Sequence, residues 1–130
     1  ATSIVIGHTG ITSTWQSKQA AGAATNTLAD PGTGAAIPVT SDFVCMLTLA
    51  AAAEGNTLAN PTYVGQRVSF AVASFVALST RTISSANGIN VAGNTTITFD
   101  ALREFVSLIG VTIGGALRWQ VVANDGAVLA

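Results

Sequence analysis

Few side chains in this sequence have the types and spacing to do chemistry. His8 is the sole histidine and Cys45 the sole cysteine. A serine or cysteine nucleophile needs an imidazole base held by a carboxylate, and a zinc site ordinarily takes two or more such ligands. The six acids, Asp30, Asp42, Glu54, Asp100, Glu104 and Asp125, stand singly, most of them beside turn residues. Two of them meeting in space would make a glycosidase pair, but turn and cap duty accounts for each alone. Gly7-His8-Thr9-Gly10 lacks the Gly-Lys-Ser/Thr ending and the preceding strand of a phosphate loop. Trp15, Tyr63 and Trp119 remain as a sugar-stacking platform, yet Trp119 sits among Leu117, Val121 and Val122, where core or interface packing is expected. The chain is therefore expected to be no enzyme, with no catalytic residues, no metal and no cofactor.

Composition narrows the partners. Charged residues make up 8% of the 130 residues against a usual ~25%, and alanine, threonine, glycine and serine fill the gap. A net charge of −1 gives almost no colloidal repulsion, so the chain suits an assembly better than a free monomer. Lys18, Arg67, Arg81, Arg103 and Arg118 are scattered, whereas nucleic acid calls for a basic patch. The most apolar runs, 43–53 and 105–117, fall short of the ~18 residues of a spanning helix, and the start carries no signal-peptide pattern. No nucleic acid and no membrane are expected. Cys45 alternates with Phe43, Leu47 and Leu49, which makes it a buried small hydrophobe.

Turn chemistry divides the rest into strands. Residues 96–99, 104–113 and 117–123 are apolar, β-branched runs separated by Asp100-Ala101-Leu102-Arg103 and Gly114-Gly115 and closed by Asn124-Asp125-Gly126. Paired glycines and Asp-Gly supply the positive φ of tight hairpins, so 94–126 is expected to form a β-meander. Leu102, Phe105, Val106 and Ile109 also fit a helical spacing with Asp100 as cap, but β-branched content and Gly110 favour strand. Upstream, 42–49 and 68–76 alternate, with a bulge or strand end at Phe75-Val76. Residues 81–86 form another short strand, Asn87-Gly88 is the strongest turn signal, and 50–53 could make a helical turn too short to hold alone. Thr25-Asn26-Thr27-Leu28-Ala29-Asp30-Pro31 is echoed by Gly55-Asn56-Thr57-Leu58-Ala59-Asn60-Pro61, each a short strand entering a turn, expected at two similar sheet edges. The fold class expected is all-β: a compact sandwich or barrel of about eight short antiparallel strands over residues 25–130. Residues 1–24 carry apolar islands without sustained periodicity. A disordered terminus is one account; the islands Ile4, Val5, Ile6, Ile11 and Trp15 favour an extended arm that docks on a neighbour.

Three blocks then resemble a known family: Thr57-Leu58-Ala59-Asn60-Pro61-Thr62-Tyr63-Val64-Gly65-Gln66-Arg67, Gly93-Asn94-Thr95-Thr96-Ile97-Thr98-Phe99-Asp100-Ala101, and Gly115-Ala116-Leu117-Arg118-Trp119-Gln120-Val121-Val122-Ala123-Asn124-Asp125-Gly126. Over residues 58–126 the sequence is similar to capsid decoration, or cement, proteins of tailed bacteriophages, whose usual Asp-Ala-Gly-Asp turn is replaced here by Asp100-Ala101-Leu102-Arg103-Glu104. The resemblance implies a compact β protein on the outer surface of an icosahedral virion, a homotrimer clamping neighbouring major capsid proteins. A receptor- or glycan-binding module of a tail fibre or spike is the alternative.

Overall fold

A computed structural model of the protein describes residues 5–8, 11–14, 25–26, 34–37, 39, 42–90 and 93–130, with the backbone alone for the first three stretches. Near the start, β1 (Val5–His8) and β2 (Ile11–Thr14) pair antiparallel as a sheet of their own. The rest comprises β3 (Thr25–Asn26), β4 (Ala36–Ile37), β5 (Phe43–Leu49), β6 (Glu54–Leu58), β7 (Arg67–Phe75), β8 (Arg81–Ser84), β9 (Thr96–Phe99), β10 (Phe105–Ile113), β11 (Ala116–Asp125) and β12 (Val128–Leu129). One sheet runs β11-β10-β7-β5-β3 and the other β12-β9-β8-β6-β4. Both are open at their edges, and they pack face to face as an all-β sandwich.

The core follows from period-two alternation. Phe43, Cys45, Leu47 and Leu49 point inward with Val68, Phe70, Val72, Val106, Leu108 and Trp119, and meet Ile37, Leu58, Ile83, Ile97 and Phe99 from the second sheet. Cys45 is fully enclosed, as its alternation implied. The Trp119 ring is buried and its Nε1 donates to the Ala59 carbonyl at 2.8 Å, so its one polar atom is satisfied. Phe43 and Phe70 meet edge to face at 6.5 Å between ring centres.

Strand direction departs from expectation. From β3 to β8 the chain alternates between sheets, so β3–β5, β5–β7, β4–β6 and β6–β8 are all parallel; β7–β10, β10–β11, β8–β9 and β9–β12 are antiparallel. Parallel neighbours require a crossover, and here a strand of the facing sheet supplies it instead of a helix. The meander is also corrected. β10 and β11 form the expected hairpin across Gly114 and Gly115, whose φ values of 60° and 78° suit a tight two-residue turn. β9, however, belongs to the other sheet, and the turn at 100–103 carries the chain between layers.

Smaller features sort similarly. The residue left unpaired on β7 is Ala73, between the Leu47–Val72 and Thr48–Ser74 pairs, and the strand ends at Phe75. Residues 50–53 form a turn rather than a turn of helix, with Ala53 at φ 58°. Of the echoed segments, the first contributes the edge strand β3, but the second lies in β6, an interior strand.

Candidate interaction surface

The two outer faces of the sandwich differ in chemistry. On the first sheet the register lines up Met46, Ala71 and Phe105 in one row across β5, β7 and β10, and Val44, Ser69 and Ser107 in the next. Ser69 donates to Ser107 at 3.0 Å, so these hydroxyls satisfy each other within an otherwise apolar row. Ile109 and Val111 continue the outward face of β10 as half-buried side chains, and Ile113 at its end is exposed. On the second sheet the equivalent rows carry Thr82 with Thr98 and Ser84 with Thr96, and the Thr82 and Thr98 hydroxyls lie 3.1 Å apart. One face offers hydroxyls to water, whereas the other offers an aliphatic and aromatic strip rimmed by polar side chains, Arg67 and Gln120 beside Ile109, Arg118 beside Val111 and Asp125 beside Phe105.

The two ends differ as well. At one end lie the turns at 50–53, 76–80 and 100–103, made largely of Ala, Val and Leu. Leu78 is 90% exposed, Val76 54% and Leu102 50%. Ala53, Leu78 and Arg103 there adopt φ of 58°, 69° and 73°, a left-handed backbone that costs a non-glycine residue ~1–3 kcal/mol. Hydrogen bonds fix the three turns. The Val76 amide and the Ser79 hydroxyl donate to the Leu49 carbonyl, the Ala53 amide donates to Thr80 Oγ1, and the Arg103 amide donates to the Val72 carbonyl. Glu104 is buried, and its carboxylate accepts from the amides of Asp100 and Ala101 at 2.7 and 3.1 Å.

The opposite end holds a cleft of about 350 Å³ lined by Asn87, Gly88, Asn90, Thr95, Ile113 and Arg118, among others. Its polar groups are turned to structural use. Arg118 donates to the carbonyls of Ile113 and Asn87 at 3.2 and 2.5 Å, Asn87 donates to the Leu117 carbonyl, and Gln120 donates to Asn90 Oδ1. Nearby, the Tyr63 hydroxyl donates to Asp42 Oδ1 at 2.8 Å, which holds the phenol above its usual pKa, with slight desolvation and the carboxylate charge adding to the effect.

Gly110 marks a close approach on β10. A Cβ there would lie 2.7 Å from both Pro61 Cβ and the Tyr63 carbonyl oxygen, so only glycine lets the 61–66 loop rest against the strand.

Sequence-expected site residues divide by position. Val5 and Ile6 fall on β1 and Ile11 on β2, with their backbones paired in the small hairpin; Ile4 and Trp15 lie outside the described residues, as does Asp30. His8 lies on β1. Of the aromatic platform, Trp119 is buried and Tyr63 exposed, so the two do not share a surface. Glu54 is corrected from turn duty to a core ion pair: its Oε2 lies 2.6 Å from Arg81 Nη2. Among the described residues no group of three or more His, Cys, Asp or Glu could hold a metal ion. The apolar turns escaped notice in the sequence, although Leu78 and Leu102 in loop-length segments were a visible signal. No protein-family model matches the sequence, and no curated protein matches it significantly.

Proposed function

We propose that this chain is a structural docking protein, a trimeric cement subunit on the outer surface of a bacteriophage capsid that bridges neighbouring major capsid proteins. The observation that carries the reading is the apolar outer face of the first sheet. Met46, Ala71, Phe105 and Val44 form an apolar strip, edged by Ile109 with Arg67 and Gln120 on either side, that a sibling subunit can cover, while the threonine and serine face stays toward water. With 8% charged residues, the molecule carries little to repel its own copies. Weak contacts repeated over a symmetric lattice then gain from effective concentration. In the same reading residues 1–24 act as an arm, with Ile4, Val5, Ile6, Ile11 and Trp15 reaching the shell protein. The resemblance over residues 58–126 points the same way.

The test combines light scattering with co-sedimentation on particles lacking the protein. The chain is expected to be a trimer at micromolar concentration and to sediment with the particles; Ile109→Lys, which puts a charge on the packing face, is expected to give folded monomers that bind far more weakly. A monomeric parent, or a parent that stays in the supernatant, would overturn the proposal. Binding of the parent to a glycan instead would favour a tail-fibre module.

A further inference from the structure

The apolar end of the sandwich is built as a rigid knob. Leu78 is the most exposed large hydrophobic side chain among the described residues, at 90%. Its turn holds it at φ 69°, a conformation that glycine or asparagine would take with less strain. A leucine kept there against both solvent and backbone preference is explained by a contact its side chain makes outside the fold. Val76 and Leu102 flank it, also half-exposed or more. The hydrogen bonds to Leu49, Thr80 and Val72 tie the three turns to their strands, so little ordering remains to be done on binding.

The chemistry of the end selects its partner. Asp100 and Arg103 are the only charged residues in the three turns, and they cancel, with Asp125 at the margin opposite Phe105 as a further exposed charge. No tryptophan, tyrosine or lysine lies there, although lipid headgroups are typically met by aromatic and cationic side chains. A lasting one-to-one complex, including a pair of copies joined end to end, needs ~20–30 residues a side, about twice what these turns present. A small, sparsely charged, preformed knob suits a shallow apolar socket that recurs on a protein lattice, where several copies bind together. Resting on the capsid reading above, we propose that the turns at 50–53, 76–80 and 100–103 are the surface that seats on the shell protein, with Leu78 as the anchor entering an uncharged apolar socket.

The decisive variants are Leu78→Asn and Leu78→Gly in the full chain, with thermal melting, co-sedimentation with particles lacking the protein, and flotation with phosphatidylcholine–phosphatidylglycerol vesicles as readouts. Both residues accept the left-handed backbone, so Leu78→Asn is expected to melt at or above the parent temperature. Its affinity for particles is expected to fall by at least about tenfold, the scale of one lost leucine burial. Undiminished binding would overturn the knob and leave the capsid reading standing. A parent chain that does not sediment would overturn that reading and the socket with it. Flotation of the parent that Leu78→Asn abolishes would replace the protein socket with a lipid surface. A drop in melting temperature paralleling the loss of binding would make Leu78 a structural residue and overturn the inference.

Discussion

Of the wholly enclosed side chains among the described residues, Arg81 is second only to Trp119 in size. Its guanidinium reaches Glu54 Oε2 and Asn56 Oδ1, both at 2.6 Å, and the Thr48 carbonyl at 3.0 Å, so the charge is met inside the core. Removing one member leaves the other charge uncompensated, which costs about 3–5 kcal/mol. Arg81→Met is therefore expected to lower unfolding free energy by that amount in denaturant titrations, and Glu54→Gln with Arg81→Met to cost clearly less than the two single changes added. Strict additivity would mean that the pair is not coupled. Tyr63, the only tyrosine, offers a cleaner titration. Its hydrogen bond to Asp42 raises the folded pKa, so the folded state holds the proton to higher pH than the unfolded chain does. The resulting stabilisation is complete below the unfolded value near ~10 and is lost as pH rises through the folded value. Asp42→Asn should move the single phenolate absorbance transition down toward the ordinary range; an unmoved transition would mean that the bond does not persist in solution.

At the scale of elements, the sequence was most legible where a local rule governs. Alternation alone placed Phe43, Cys45, Leu47 and Leu49 inside, and Gly114-Gly115 marked the β10–β11 hairpin, because both signals are complete within a few residues. Sheet membership is different. A turn such as 100–103 shows where β9 stops, but whether the next strand pairs with it or crosses to the other layer depends on packing between distant segments. The same limit hid the Glu54–Arg81 pair, whose members face each other across the adjacent strands β6 and β8, paired in register. It also concealed the shared end: nothing local says that the turns at 50–53, 76–80 and 100–103 come together, since that follows from the parallel run of β5 beside β7 and β6 beside β8 and from the antiparallel pairing of β9 with β8 and β10 with β7.

At the scale of the molecule, the alternation of the chain between layers bears on how the protein holds together over time. Between β5 and its neighbour β7 the chain passes through β6 in the facing sheet, and between β6 and β8 it passes through β7. Each parallel pairing therefore closes a loop that contributes a strand to the opposite wall, which ties the two layers to each other. Opening should be equally indivisible, since peeling one layer from β5 to β8 strips the other of its crossovers. Amide hydrogen exchange is accordingly expected to show the protected amides of β5, β6, β7 and β8 opening with one common free energy, as a single cooperative unit. Exchange of β6 and β8 through an opening that leaves β5 and β7 protected would show that the layers separate independently. A chain laced in this way has no loose end between β5 and β8 from which unravelling can start, so resistance to opening is shared by both walls.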